Sequence, residues 1–63
     1  MIKTWIDFAK TNDYTIVCVM KDLEDKEIYP IFFKEEKDLE KHKNNIISES
    51  KVMIINIIFV ENN

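Results

Sequence analysis

The stretch VMIINIIFV, residues 52–60, decides the fold class of this chain, because apart from Asn56 every residue in it is apolar. Val and Ile dominate it, and a short apolar run of β-branched residues is typical of a buried strand. Strict alternation along this strand predicts two faces, one of Met53, Ile55, Ile57 and Phe59 and the other of Val52, Ile54, Ile58 and Val60. Both faces are therefore apolar.

Two apolar faces require cover on both sides of the sheet, because a sheet with one wet face alternates apolar and polar residues. Leaving four such side chains in water would forgo about 6–12 kcal/mol, at about 1.5–3 kcal/mol each. That loss rivals the whole stability of a small domain. We expect an N-terminal helix carrying Trp5 to supply part of the cover. A second subunit is expected to supply the remainder, which predicts a homodimer.

The rest of the chain predicts two helices and two more strands. The predicted elements are a helix over residues 2–10, a strand over 14–21, a charged turn over 22–27, a strand over 28–33 and a helix over 34–47. Pro30 cannot donate to a ladder, so the second strand is expected at an edge. The prediction is one α+β domain over residues 1–63, with the order α-β-β-α-β and a three-stranded, mainly antiparallel sheet.

Charge and cysteine content narrow the function classes. The formal charge is -3, and all nine basic residues are lysine. Because specific readout of nucleic acid depends heavily on the arginine fork, direct nucleic-acid binding is not expected. Lys3, Asp7 and Lys10 interrupt any apolar leader, and the longest apolar run is too short to span a bilayer. With one cysteine and no disulfide, a reducing cytoplasm is the expected location.

No residue pattern predicts catalysis, a metal site or a cofactor. Cys18 lies in an apolar run, where a buried thiol is expected, and His42 lies among lysines, where a solvated side chain is expected. The acidic turn lacks the glycine and the regular spacing of a calcium loop, which favours a solvated hairpin turn. The chain is therefore expected to be a binding protein rather than an enzyme.

The second helix carries the candidate partner-binding residues. Glu36, Leu39, Glu40 and Lys43 share one face at the spacing i, i+3, i+4 and i+7. Glu36 and Glu40 form a like-charge i,i+4 pair, which costs a few tenths of a kcal/mol relative to an opposite-charge pair. This unfavourable stripe favours a binding surface. The alternative is that Leu39, together with Ile46, is the core face of the helix, and the two interpretations are compatible.

Short motifs from residue 13 onward support a family resemblance. They are Asp13-Tyr14 opening an apolar strand, an acidic turn ending in Lys26, Tyr29 in the second strand, Asp38-Leu39-Glu40 in the helix, and a closing β-rich strand. In this layout the chain resembles the very small uracil-DNA glycosylase inhibitors of Bacillus podophages. The resemblance covers about three quarters of the chain, and the N-terminal helix lies outside it.

The resemblance implies a homodimeric inhibitor that mimics DNA and acts in the host cytoplasm. It gives Glu40 the role of a backbone phosphate and places Leu39 at the edge of an apolar pocket. Lys43 falls where the family carries a tyrosine, and Leu39 replaces an aromatic residue, so the pocket departs from the family pattern. The alternatives are a phage inhibitor of another nucleic-acid enzyme, such as a CRISPR nuclease, and a dimerisation or regulatory module.

Overall fold

The computed structural model describes residues 1–61 and confirms the predicted α+β fold. In chain order the elements are α1 (Ile2–Thr11), β1 (Ile16–Asp22), β2 (Ile28–Phe33), α2 (Glu36–Ile46) and β3 (Val52–Phe59). The strands form one antiparallel sheet in the order β2-β1-β3, so the first strand is the central one. No helix within this described part of the chain has the length and apolar character needed to cross a membrane.

Helix α1 covers one face of the sheet. Trp5 and Ile6 are half-buried and Ala9 is fully buried, and these three residues lie on one face of the helix, whereas Ile2 is exposed. The small Ala9 lets the helix approach Val17 of the central strand closely. The core cluster on this face contains Ala9, Val17, Val19 and Val60, with Trp5, Ile6, Tyr14, Phe32 and Ile58 packed around it.

Helix α2 covers the opposite face. Its core cluster contains Ile16, Cys18, Met20 and Leu39, with Tyr29, Ile31, Phe33, Ile46, Val52, Ile54 and Ile57 packed around it. Successive residues of β1 therefore point alternately at α2 and at α1. This explains why all five residues from Ile16 to Met20 are buried. The two helices and the sheet form three layers.

A bulge in β3 corrects the predicted division of that strand into faces. The register pairs Val19 with Asn56 but Met20 with Ile54, so Ile55 is an extra residue. Ile57 consequently joins Val52 and Ile54 on the α2 side, although strict alternation predicts that it lies opposite them. Ile58 packs on the α1 side.

The chain between α1 and β1 moves the start of the first strand. Strand β1 begins at Ile16, two residues later than predicted, because the Tyr14 N–H still donates to the helix carbonyl of Ala9 at 2.8 Å. Asp13 turns the chain with a φ of 60°, in the left-handed region that an aspartate tolerates better than most residues. Tyr14 then packs against Phe32 instead of entering the ladder. Helix α2 likewise begins at Glu36, two residues after the predicted start.

Candidate functional site

The four predicted partner-binding residues all lie on α2 but do not share one environment. Glu36 and Glu40 are exposed, Lys43 is half-buried, and Leu39 is only 3% exposed. Leu39 packs beneath the helix with Ile16 and Met20 of the central strand. The interpretation of Leu39 as the core face is confirmed. A partner on the outer side of α2 would not reach the buried Leu39, so Glu36 and Glu40 are the predicted residues most accessible to it.

The acidic flank, defined as Glu36 and Glu40, is the part of the predicted site that remains accessible. Lys43 Nζ lies 3.1 Å from Glu40 Oε2, an exposed i,i+3 ion pair worth about 0–1 kcal/mol. Glu36 belongs to the first turn, where the helix dipole favours an acidic residue. Glu40 lies beyond that turn, so the dipole gives no comparable reason for its charge. Glu40 is therefore the more informative member of the acidic flank.

The acids of the turn between β1 and β2 fold the turn itself. Asp22 Oδ1 accepts hydrogen bonds from the N–H groups of Glu24 at 2.8 Å and Asp25 at 3.4 Å. Asp25 Oδ1 accepts one from the Glu27 N–H at 3.0 Å. Aspartates commonly stabilise turns in this way. The solvated hairpin turn is confirmed, and Lys26 adopts the left-handed conformation that a glycine would otherwise supply.

His42 differs from the solvated side chain that its lysine neighbours predict. It is half-buried, with Nε2 3.4 Å from Met20 Sδ and its ring centroid 5.5 Å from that of Phe33. The helical spacing that buries Leu39 also turns His42 toward the sheet, since the two are three residues apart. His42 therefore helps to seat α2 against β1 and β2.

Cys18 is a buried thiol inside the α2-side core, as predicted. Its Sγ lies 3.7 Å from Met20 Sδ. Burial raises the pKa of this thiol above its ordinary value of 9.0, and the positive charge of Lys43 is a smaller, opposing influence. The thiol form is therefore favoured in the folded chain, whereas nucleophilic cysteines need the thiolate.

The raised pKa of Cys18 predicts a pH dependence of stability. Above about pH 9 the unfolded thiol ionises while the buried one stays protonated, so the folded state binds more protons and stability falls as pH rises. Urea unfolding at pH values from neutral to alkaline should show a steeper fall for the wild type than for Cys18→Ala. Parallel curves for the two proteins would contradict the buried, protonated thiol.

A polar cleft between α2 and the β2 edge was missed by the sequence analysis. It has a volume of about 580 Å³, and Lys34 Nζ lies 5.4 Å from the centroid of the Tyr14 ring at its rim. Asp38, His42 and Asn45 line its helix side. Their spacing of three to four residues places them on one side of a helix, which was the available signal. Charged side chains of both signs line the cleft.

A second cleft is apolar and lies at the start of α1. It has a volume of about 390 Å³ and is lined by Trp5, Val19, Ile28 and Ile55, among others. Ile28 and Ile55 are also exposed. α1 thus leaves the sheet incompletely covered at the end where β1 reaches Lys21.

Among residues 1–61, no group of three His, Cys, Asp or Glu side chains is placed to hold a metal ion. No protein-family model, curated protein or solved structure matches the chain.

Proposed function

We propose that this protein is a DNA-mimicking inhibitor that binds the basic groove of a nucleic-acid enzyme, with uracil-DNA glycosylase as its target. The observation that carries the proposal is the acidic flank. Glu36 and Glu40 keep like charges one helical turn apart on an exposed surface, where neither contributes to the core. The formal charge of -3 adds long-range attraction to a basic groove.

Within this proposal the two carboxylates occupy positions that backbone phosphates take in the enzyme's groove. Carboxylates accept charge-assisted hydrogen bonds from lysine, arginine and backbone N–H donors, as phosphates do. Glu40 would exchange its ion pair with Lys43 for such a donor, at small cost because the exposed pair is weak. The choice of uracil-DNA glycosylase comes from the family resemblance. The proposal assigns no reaction to the chain and places it in the cytoplasm of the host cell.

The proposal predicts inhibition of uracil excision. A bacterial uracil-DNA glycosylase acting on a labelled uracil-containing oligonucleotide should be strongly inhibited by an equimolar amount of the protein. Inhibition should weaken as salt is added, because the attraction is electrostatic. Glu40→Gln should weaken inhibition about tenfold or more, since a hydrogen bond to a charged group contributes about 1.5–3 kcal/mol.

Glu49→Gln is the matched control for this assay. Glu49 is exposed and follows the end of α2. The Glu49→Gln substitution therefore removes the same charge as Glu40→Gln, but from a different surface. Its inhibition should equal that of the wild type. Equal losses of inhibition from Glu40→Gln and Glu49→Gln would mean that only the net charge of the protein matters. Full glycosylase activity in the presence of the wild-type protein would refute the proposal.

A regulatory dimerisation module is the second candidate, because large apolar side chains are exposed along β3. Met53, Ile55 and Phe59 all belong to that strand. This candidate predicts no competition with DNA and no effect of Glu40→Gln on function. Another nucleic-acid enzyme, such as a CRISPR nuclease, remains the alternative target of the acidic flank, and the same Glu40→Gln and Glu49→Gln pair would test it.

A further inference from the structure

The outer edge of β3 is the least covered part of the described sheet. Phe59 is 63% exposed on the α2 side, and Met53 and Ile55 are exposed toward the α1 side. Within residues 1–61, β3 pairs with β1 alone, so its other edge presents backbone groups without a strand partner. Strand β2 is also an edge, but it carries Pro30.

The position of Pro30 distinguishes the two edges. The Asp22 N–H donates to the Glu27 carbonyl at 2.8 Å, and counting alternately along β2 from Glu27 turns Pro30 away from β1. The missing N–H of Pro30 thus lies on the outer edge, where it hinders the addition of another strand. β3 contains no proline, and no charged residue lies between Lys51 and Glu61.

Hydrogen bonds at both ends of β3 reveal which of its backbone groups face outward. The Leu23 N–H donates to the Lys51 carbonyl at 2.8 Å, and the Val60 N–H donates to the Thr15 carbonyl at 2.7 Å. Along a strand, the backbone N–H and C=O groups of successive residues alternate between facing the neighbouring strand and facing away from it. Counting inward from Lys51 and from Val60 in this way leads to the bulge, where the backbone groups of two consecutive residues both face β1. The residues whose backbone groups point away from β1 are Val52, Ile54, Ile57 and Phe59.

These outward groups are symmetric about the midpoint between Ile55 and Asn56. Rotation by half a turn about that midpoint exchanges Val52 with Phe59 and Ile54 with Ile57. All four side chains also lie on the α2 side of the sheet, by their pairing with the even-numbered residues of β1. A bulge at an edge usually hinders pairing. Here the bulge lies at the midpoint, so the outward backbone groups on both sides of it match those of a second copy.

We propose that the β3 edge is the interface for a second copy of this chain, paired antiparallel about a two-fold axis between Ile55 and Asn56. The result is a continuous six-stranded sheet with β3 of each copy at its centre. Phe59 of one copy lies beside Val52 of the second copy, which covers the exposed ring. Such an interface is self-complementary, as a two-fold axis requires.

The charges at the ends of β3 fit this arrangement. Antiparallel pairing brings Lys51 of one copy next to Glu61 of the second copy, within one residue of direct register, and this happens twice. Opposite charges on neighbouring strands stabilise pairing. The strand between them is uncharged, so two copies of an acidic protein meet there without repulsion.

Asn56 lies next to the axis and is the residue best suited to a test. In the single chain its Oδ1 accepts a hydrogen bond from the outward N–H of Ile57 at 2.9 Å. In the pair the carbonyl of Ile54 of the second copy takes over that N–H. The two Asn56 amides, now side by side, are free to hydrogen-bond each other. A charged residue at position 56 would lie beside the same charge of the second copy, and the two would repel each other.

The experiment measures mass by sedimentation equilibrium for the wild type, Asn56→Asp and Asn56→Lys, each alone, and for an equimolar mixture of the two variants. We expect the wild type at twice 7.6 kDa, each variant alone at 7.6 kDa, and the mixture again at twice 7.6 kDa. Asn44→Asp and Asn44→Lys, at an exposed position of α2, should both stay dimeric. Circular dichroism checks that every variant folds.

Three results would overturn the proposal. They are a monomeric wild type, dimers that survive both charges at position 56, and a mixture that stays monomeric. If a variant fails to fold, amide hydrogen exchange in the wild type decides instead. The outward N–H groups of Ile54 and Phe59 should gain protection as protein concentration rises, and unchanged exchange would overturn the interface. The test is independent of glycosylase inhibition, so either proposal can fail without the other.

Discussion

Leu39→Ala is expected to lower the free energy of unfolding by about 2–5 kcal/mol, the range for emptying a buried leucine site. Leu39 is the buried residue of α2, and it joins that helix to the central strand through Ile16 and Met20. A domain of this size has a total stability of about 3–9 kcal/mol. One substitution therefore removes a large share of it, and α2 loses its main contact with the sheet.

Urea unfolding at one fixed protein concentration measures this loss, because self-association would otherwise change the apparent stability. Leu39→Met is the matched control. It nearly conserves volume and should cost less than about 1.5 kcal/mol. A loss below about 1 kcal/mol for Leu39→Ala would contradict the core position of this side chain and restore it as a surface candidate.

Ile16→Ala should cost a similar amount, about 2–5 kcal/mol. Ile16 is 1% exposed and starts the central strand, where the register pairs it with Phe33 of β2 and Phe59 of β3. Removing its side chain leaves a cavity between both edge strands and α2. Because the packed neighbours relax only in part, the cavity adds to the lost transfer free energy.

Ile47→Ala is the control for Ile16→Ala, because it makes the same substitution at an exposed position. Ile47 is 84% exposed just after α2, and surface substitutions of this kind usually change stability by about 0.5 kcal/mol or less. Urea unfolding of both variants should separate them clearly. Equal losses would mean that Ile47 is covered in solution, which would point to an interface other than the β3 edge.

The fold could be predicted from sequence because its signals are local and mutually consistent. The spacing of Trp5, Ile6 and Ala9 indicates one helical face, and the apolar runs around Val17 and Ile57 indicate strands. Pro30 correctly indicates an edge strand. The bulge at Ile55 was not predictable, because in a nearly unbroken apolar run no polar residue marks which side each position faces.

The candidate site was predicted less completely, for a physical reason specific to α2. Leu39 is flanked by charged residues, so its sequence context suits both a core contact and an apolar spot on a surface. Only the docking of the helix on β1 decides between them. The same docking turns His42 toward the sheet, although its neighbours Lys41 and Lys43 favour a solvent-exposed position. The exposure of Glu36 and Glu40 follows from that orientation.

The central position of β1 has a consequence for how the chain acquires its structure during synthesis. The ribosome completes β1 and β2 before β3 exists, and β3 lies on the far side of β1 from β2. Until residues 52–59 emerge, one edge of an almost wholly apolar strand is open, and a two-stranded hairpin alone is marginally stable. A chain truncated before β3 would therefore be prone to aggregation.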